Sequence, residues 1–296
     1  MATEAPLDMS KIDGDERVGF YGALFAMAAT DGSVDKDEMQ IIYELMILDG
    51  MTREQKATVH SYVLQPPPLR ECLRALDRSD RPLRYGLLVN LVDVAYADDD
   101  YTPGERDFVE EAARELSISQ QQLEAVEEFV RKAREVKNRG LDDRVAEDIL
   151  KTAAAGLSSV GVPITAVYFS GTVVGLSAAG ITSGLAALGL GFGMIPGVGV
   201  AILLGTAVYV AITRFLDVGG RRKKEILRKE AERRAQVVIA NMQESLNHLV
   251  EQVARLSASA AESAANREAI AQLTARLRSL QQLLNRRKNE LAARAR

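Results

Sequence analysis

The longest uninterrupted pattern in the chain is an uncharged stretch from Thr152 to Thr213, in which no Asp, Glu, Lys, Arg or His occurs. A transmembrane helix needs about 20 mostly apolar residues, so this length is sufficient for two crossings joined by a turn. Glycine and proline crowd into the run GLGFGMIPGVG, which starts at Gly189, and they disfavour a continuous helix there. The pattern therefore predicts a helical hairpin with arms at about 160–188 and 198–215.

The two arms differ in how strongly they favour lipid. Eight large apolar residues occur among the fifteen positions from Val198 to Ile212, whereas the same number is spread over 23 positions from Ile164 to Ala186. Each such residue at the membrane centre gains roughly 0.3 to 0.6 kcal/mol, so insertion of the first arm alone is expected to be marginal. Glycines four residues apart allow two helices to approach closely and would favour pairing of the arms. These glycines are Gly171, Gly175, Gly180 and Gly184.

Two other interpretations of the hairpin stay open. It could form the buried interior of a soluble helical protein, because amphipathic neighbours can enclose an apolar pair of helices. It could also be hidden in a soluble form until a trigger releases it. Nucleotide binding is set aside, since the glycines form neither a G-x-x-x-x-G-K-[ST] motif nor a G-x-G-x-x-G motif after a strand.

The residues before this stretch show helical spacing of apolar positions and no strand pattern, which predicts an all-α unit. Capping patterns mark several helix starts: Asp35 with Glu38, Thr52, and Thr102 with Glu105. Pro103 follows Thr102 at the first helical position, where its missing N–H costs little. The predicted helices cover 18–29, 35–48, 53–64, 69–76 and 82–97, followed by one from 103 and a last capped helix in SISQQQLEAVEEFV.

This unit contains an internal echo at an offset of 67 residues. The segment AATDGSVDKDEMQII, which starts at Ala28, aligns with AYADDDYTPGERDFV, which starts at Ala95. The offset places Asp31 on Asp98 and the apolar pair after the first turn on the apolar pair after the second. We therefore predict two similar pieces, each consisting of a helix, an acidic turn and a second helix.

The two turns, A-x-x-D-G-x-V-D-x-x-E and A-x-x-D-D-x-Y-T-x-x-E, together with the closing ARELSISQQQLEAVEEF, resemble the TerB-like family, named after a tellurite-resistance protein. The resemblance covers about residues 18–130. It implies a compact helical bundle in which acidic residues of the two turns meet at a divalent cation. Oxygen ligands of this kind favour Ca²⁺ or Mg²⁺ over zinc. The ligands carried over from the family pattern are Asp31, Asp35, Glu38, Asp98 and Glu105, with Asp99 and Asp100 nearby.

The second turn departs from the family pattern, because Asp99 replaces the glycine and Thr102 replaces the second aspartate. Symmetric ligation of a cation by the two turns is therefore not expected. The other interpretation of the same carboxylates is helix capping and a solvated negative surface, which requires no cofactor. An EF-hand is excluded, since the D-x-[DN]-x-[DN]-G spacing is missing.

Charge separates the chain into two halves. Residues 1–152 carry 32 Asp and Glu against 19 Lys and Arg, a net charge of −13, whereas residues 153–296 carry 9 against 18, a net charge of +9. The acidic start shows no signal-peptide pattern, and the lone Cys72 fits a reducing compartment.

By the positive-inside rule, the basic flanks of the hairpin predict an inner-membrane protein with both termini in the cytoplasm. These flanks are Lys132, Arg134, Lys137, Arg139, Arg144 and Lys151 before the hairpin, and Arg214, Arg221, Arg222, Lys223 and Lys224 after it.

The carboxyl-terminal segment combines a basic cluster with an apolar seam. Arg221, Arg222, Lys223 and Lys224 predict contact with anionic lipid headgroups, worth about 1 kcal/mol per residue at the surface, although a solvated helix face is the simpler interpretation. Nucleic acid is disfavoured, because the segment lacks aromatic residues and the acidic unit would repel phosphate.

Apolar residues recur every three or four positions over 238–256 and again over 270–284, followed by Leu291, and the two runs are separated by SASAAESAAN. We predict one long helix, or two that fold back, forming a coiled coil within or between chains, and a homo-oligomer.

No catalytic constellation is found in the sequence. His60 lies in a predicted helix without Cys or Asp at useful spacing, Cys72 is interpreted as a packing residue, and no serine stands in a G-x-S-x-G motif. The chain is divided into a polar leader, a TerB-like helical domain, a linker, the hydrophobic helical hairpin and a basic helical tail. These parts cover 1–11, 12–137, 138–152, 153–218 and 219–296, respectively.

The function that these features favour is membrane association without catalysis. We expect a stress-response or effector protein with a TerB-like sensor or scaffold module, a membrane-inserting hairpin and an unidentified protein partner. The rival is a soluble helical scaffold in which the hairpin is buried core and the tail binds a partner. Attraction between the acidic and basic halves could hold the hairpin closed until salt, metal or a partner separates them.

Overall fold

The computed structural model describes residues 9–30, 32, 36–97, 101–139, 143–163, 220–258 and 264–294. Within these ranges the chain is all helical, as predicted: a short 3-10 helix over Met9–Lys11 precedes ten α-helices, and no strand occurs. The α-helices are α1 (Gly14–Ala28), α2 (Lys36–Leu45), α3 (Arg53–Ser61), α4 (Leu69–Arg74), α5 (Arg81–Ala95), α6 (Pro103–Glu115), α7 (Gln120–Arg139), α8 (Asp143–Ser159), α9 (Gly220–Ala258) and α10 (Ala264–Arg294).

Helices α1 and α5 form the centre of the amino-terminal unit. Both are apolar on nearly all sides, which is the pattern of a helix enclosed by neighbours rather than one with a solvent face. Helices α2, α3 and α4 pack around α1, and α6 and α7 pack around α5. The fully buried side chains of the two central helices include Phe20, Tyr21, Leu24, Phe25, Leu87, Leu88, Leu91 and Val92. The core therefore lies between two sets of three or four helices.

The 67-residue echo is confirmed by the helix starts. Helices α1, α2 and α3 begin at Gly14, Lys36 and Arg53, and helices α5, α6 and α7 begin 67 residues later in each case, at Arg81, Pro103 and Gln120. The caps repeat as well. Thr52 forms a capping box with Gln55, and the equivalent Ser119 exchanges the same two hydrogen bonds with Gln122 at 3.3 and 3.0 Å. The unit is a duplicated three-helix piece.

In each repeat, an arginine on the central helix donates hydrogen bonds to backbone carbonyls in the loop after the second helix. Arg17 Nη1 of α1 donates to the carbonyls of Ile47 at 3.1 Å and Asp49 at 2.8 Å. The equivalent Arg84 Nη1 of α5 donates to the carbonyl of Leu116 at 3.5 Å, which is 67 residues after Asp49. Carbonyls beyond a helix end lack an intrahelical donor, so each arginine satisfies groups that the fold would otherwise leave open.

Helix α8 packs against α7 and has no counterpart among the predicted elements. It runs across the predicted boundary between linker and hairpin at 152/153, and it buries Ala154 and Leu157. After it, Val162 is also buried, while Gln122 donates to the carbonyl of Val160 at 3.0 Å and Arg81 donates to the carbonyl of Gly161 at 3.1 Å. The first part of the uncharged stretch therefore belongs to the folded helical unit.

Helices α9 and α10 pack against each other and form a helical tail that folds back on the amino-terminal unit. The break between them lies within the SASAAESAAN segment, where the apolar seam weakens. Apolar residues of both helices are buried by this packing, and they are Val238, Met242, Leu246, Leu249, Leu280, Leu283 and Leu284. The apolar seam is therefore buried by packing between helices of the same chain. The predicted homo-oligomer is not tested by this packing and stays a prediction.

Residues 164–219, which include most of the predicted hydrophobic hairpin, lie outside the described residues. The four glycines proposed for helix pairing, Gly171, Gly175, Gly180 and Gly184, fall in this range. In the part of the chain that the structure describes, no helix combines the length and the apolar character needed to cross a bilayer.

Candidate functional site

The two acidic turns are the first candidate site, and the structure describes two of the five proposed ligands. Glu38 is the third residue of α2 and Glu105 is the third residue of α6, and each side chain is 7% exposed. Asp31, Asp35 and Asp98 lie outside the described residues. Among the described side chains, no group of three or more His, Cys, Asp or Glu is arranged to hold a metal ion. Ligation of Ca²⁺ or Mg²⁺ by the turns stays a prediction.

Glu105 has a capping role that its geometry makes explicit. Its Oε2 accepts hydrogen bonds from the Thr102 backbone N–H at 2.7 Å and from the Thr102 hydroxyl at 2.8 Å. The Glu105 N–H donates in return to Thr102 Oγ1 at 3.3 Å, which completes the capping box. One carboxylate oxygen is thus committed to the start of α6. This supports the capping interpretation of Glu105.

Two tyrosines surround the second turn. Tyr101 donates to Glu127 Oε1 at 3.0 Å, its ring centroid lies 4.7 Å from that of Tyr96, and the Arg106 guanidinium stands over its ring at 4.8 Å. Burial, followed by the charge of Glu127, raises the pKa of Tyr101 well above its usual value. The phenol is therefore held in its protonated, hydrogen-bond-donating form.

A buried ion pair lies at the end of α5, directly before the second turn in the sequence. Arg134 of α7 lies 3.6 Å from Asp93 of α5, between Nη1 and Oδ1, and its Nη2 donates to the carbonyl of Ala97 at 2.9 Å. Asp93 is 0% exposed and Arg134 is 9% exposed. Arg134 was assigned from the sequence to the basic flank of the hairpin. Its guanidinium forms buried contacts within the fold, and the prediction of a cytoplasmic flank stays a prediction.

The second candidate site is the surface of α2 and α3 that the tail covers, which we call the tail-docking face. It comprises the carboxyl ends of the two helices and the residues just beyond them. Arg276 Nη1 of α10 donates to the carbonyls of Val63 and Leu64 at 2.8 and 2.6 Å. Asn241 Nδ2 of α9 donates to the carbonyl of Met46 at 3.2 Å. Helix carboxyl ends carry partial negative charge and open carbonyls, so a basic or amide side chain is well suited to them.

Glu44 and His60 complete the tail-docking face, and Ser245 of α9 contacts it from the tail. Arg287 of α10 forms an ion pair with Glu44 of α2. His60 Nδ1 and Ser245 Oγ share a hydrogen bond of 2.8 Å, in which the tautomer of the imidazole decides which atom donates. Burial is the largest effect on His60 and lowers its pKa to about 4. The predicted partly buried structural histidine is thus found, but its partner lies 185 residues away, on an element that no local motif could indicate.

Cys72 of α4 packs against α1 at Gly22 and serves as a packing residue, as the sequence suggested. It is 3% exposed, and burial raises the pKa of its thiol to about 12. The thiolate, which is the reactive form, is therefore scarce at neutral pH. Nucleophilic chemistry at this position is disfavoured.

The basic cluster Arg221, Arg222, Lys223 and Lys224 falls at the start of α9, which begins at Gly220. The positions of these four side chains lie outside the described residues. Their proposed contact with lipid headgroups stays a prediction. The contact of α9 with the tail-docking face lies further along the helix, at Asn241.

Residues 24–128 match the family described as tellurite resistance protein TerB. The amino-terminal unit is a TerB domain. The match spans α1 from its middle to α7 and so includes both repeats and both acidic turns. Helix α8 and the tail lie outside the matched range. Comparison of the chain with curated proteins and with solved structures gave no match.

Proposed function

We propose that this protein is a non-enzymatic, membrane-associating stress-response or effector protein in which the TerB domain is the cytoplasmic sensor or scaffold module. The TerB match supports a helical module related to tellurite resistance. The observation that carries membrane association is the length of uncharged chain left after the folded unit. Helix α8 and the turn after it take up residues 152–163, and residues 164–213 still contain 50 positions without Asp, Glu, Lys, Arg or His. Two crossings require about 40.

The attachment of both ends of this segment to one domain favours a hairpin. At the amino side, Arg81 and Gln122 bind the carbonyls of Gly161 and Val160, and Val162 is buried. At the carboxyl side, α9 packs on α2 and α3. A segment whose two ends are held by the same domain enters and leaves a bilayer on the same side, as two crossings require. The basic flanks are consistent with the cytoplasmic side.

The partners that we propose follow from this arrangement. Anionic headgroups would contact the basic start of α9, at about 1 kcal/mol per basic residue near the surface. A divalent cation held by the acidic turns and self-association through the tail are further proposals, and each requires its own binding measurement. No step of the proposed function requires a catalytic residue.

Membrane fractionation of cells tests the proposal. The full chain is expected in the carbonate-washed membrane pellet. A variant in which residues 164–213 are replaced by a Gly/Ser linker of equal length is expected in the soluble fraction, because it retains the TerB domain, α8 and the tail but loses the apolar segment. The variant's thermal unfolding provides the control for an intact fold. Recovery of both proteins in the same fraction would contradict the proposal.

A soluble scaffold is the second candidate function. The observation that favours it is that the tail packs against its own TerB domain, which shows that this chain can bury an apolar helix seam without lipid. In that case residues 164–213 would be an additional internal layer. A detergent-free, monodisperse full-length protein that leaves liposomes unbound is the expected result for this function.

A further inference from the structure

Both histidines of the chain lie at the tail-docking face. The sequence contains only His60 and His248. His60 belongs to α3 of the TerB domain and His248 to α9 of the tail, and the two interact electrostatically. Histidine is the side chain whose ordinary pKa, about 6.5, lies in the mildly acidic range. Both imidazole groups of the chain are therefore found where the tail meets the domain.

The surroundings of His60 disfavour its protonated form. His60 is 3% exposed and its hydrogen-bond partner Ser245 is 0% exposed. The charged groups that act on the ring are Glu244 and His248 from α9 and Lys56 from α3, while Tyr43 of α2 lies beside Ser245. Burial is the largest effect on the ring. The attraction of Glu244 opposes it, and the positive neighbours add to it. A proton on this ring would place a charge inside an interface that is formed around a neutral imidazole.

The other polar contacts of the tail use different kinds of group. Asn241 carries no ionisable group, and the guanidinium groups of Arg276 and Arg287 stay charged at all ordinary pH values. Glu44 is held in its ion pair with Arg287. Among these contacts, the imidazole of His60 is the group whose ordinary pKa lies between pH 7 and pH 5.

We propose that the tail is an acid-releasable clasp on the TerB domain: protonation of His60 places a positive charge in its buried contact with Ser245 and thereby loosens α9 and α10 from the tail-docking face. His60 in the released state takes up its proton near pH 6.5, whereas in the docked state it does so only near pH 4. Docking is thus at full strength above about pH 6.5 and weakens as the pH falls toward 4. The inference concerns the position of the tail and holds whether or not the protein enters a membrane.

Hydrogen exchange of the full-length protein, read by mass spectrometry at pH 7.5 and pH 5 and corrected for intrinsic rates, tests the clasp. The α9 amides between Val238 and Leu249 are expected to lose protection about 30-fold at pH 5, which is the change in the opening constant given by pKa values near 6.5 and 4. The α5 amides in the core of the TerB domain are expected to keep their protection. Equal loss in α5 and α9 would show acid unfolding of the whole domain and would overturn the proposal. Unchanged protection of α9 would overturn it as well.

Two substitutions separate the histidines. His60→Gln removes the titrating group inside the interface, so the loss of α9 protection at pH 5 is expected to disappear. The matched variant His248→Gln is expected to retain most of it, because His248 is only partly buried and His60 is the histidine that bonds Ser245 inside the interface. The same pH response in His60→Gln as in the wild type would overturn the proposal. Should His60→Gln fail to fold, Ser245→Ala is expected to lower α9 protection already at pH 7.5 while α5 stays protected, and no change in α9 would count against the clasp.

Discussion

A buried arginine connects the last helix of the second repeat to the turn that the TerB family pattern marks. Arg134 binds Asp93 on the central helix α5 and the carbonyl of Ala97, directly before the acidic turn. Because Asp93 is fully buried, its carboxylate depends on such partners for the solvation that water would provide. Arg134 thus stabilises both the core and the backbone at the end of α5.

Replacement of Arg134 by alanine is expected to lower the free energy of unfolding by about 3 kcal/mol, because it leaves the buried charge of Asp93 without this partner. Urea denaturation measures the change. Arg131→Ala is the control on the same helix, since Arg131 pairs with Glu128 at the surface with about half of each side chain exposed. The control is expected to cost less than about 1 kcal/mol. Equal effects of the two substitutions would contradict a special role of Arg134.

Some residue roles were predictable from local sequence and others were not. The capping boxes at Thr52 and Thr102 follow from three-residue spacing, and the structure contains both. The role of Arg134 was missed, because a charged residue in a predicted helix gives no sign of which neighbour will cover it. The contact of His60 with Ser245 was missed for the same reason, since it joins elements 185 residues apart.

At the scale of elements, the duplication explains how a short chain builds its core. Each repeat supplies one central helix, α1 or α5, and two amphipathic helices that cover it. Helix α4 occurs between the repeats and packs closely on α1 at Gly19. A side chain at Gly19 would bring a Cβ to 2.6 Å from the Cys72 carbonyl oxygen and 2.7 Å from the Ala75 Cβ. This glycine therefore sets the distance between the two helices.

Gly19→Ala is expected to destabilise the protein by about 1 to 3 kcal/mol, because the clash involves backbone of α4 that cannot rotate away. Thermal unfolding provides the measurement. Gly156→Ala in α8 is the matched control, since nothing lies within 4 Å of the added Cβ. The control is expected to be neutral or to stabilise by up to about 1 kcal/mol through helix propensity. A Gly19→Ala protein as stable as the wild type would show that α4 can move away from α1.

The extent of helix α8 could not be predicted from the sequence. The sequence predicts a linker over residues 138–152 and assigns the apolar residues after them to the hairpin. Ala154 and Leu157 instead pack in the helical unit. An apolar residue indicates that water is excluded from its site, but it does not indicate whether protein or lipid excludes it. The boundary between the folded unit and the uncharged segment could therefore be placed only with coordinates.

At the scale of the whole molecule, the tail folds back on the domain from which the uncharged segment departs. Among the described residues, the ion pair of Arg287 with Glu44 is a structural counterpart of the predicted attraction between the acidic and basic halves. Arg276 and Asn241 instead donate to backbone carbonyls at helix carboxyl ends rather than to acidic side chains. We infer that shape and open carbonyls, more than long-range charge, hold the tail. Membrane association of the protein then depends on what surrounds residues 164–213.

Depth-dependent fluorescence quenching tests that point most directly. A polarity-sensitive probe is attached to Leu203→Cys in the uncharged segment or to Glu54→Cys on the exposed side of α3, in the full-length protein with liposomes. Buried Cys72, with its pKa near 12, stays unlabelled under native conditions. Membrane association predicts that lipids with a quencher in the acyl chain quench the probe at position 203 strongly and the probe at position 54 weakly. A probe at position 203 that only aqueous quenchers reach, or that neither kind reaches, would contradict it.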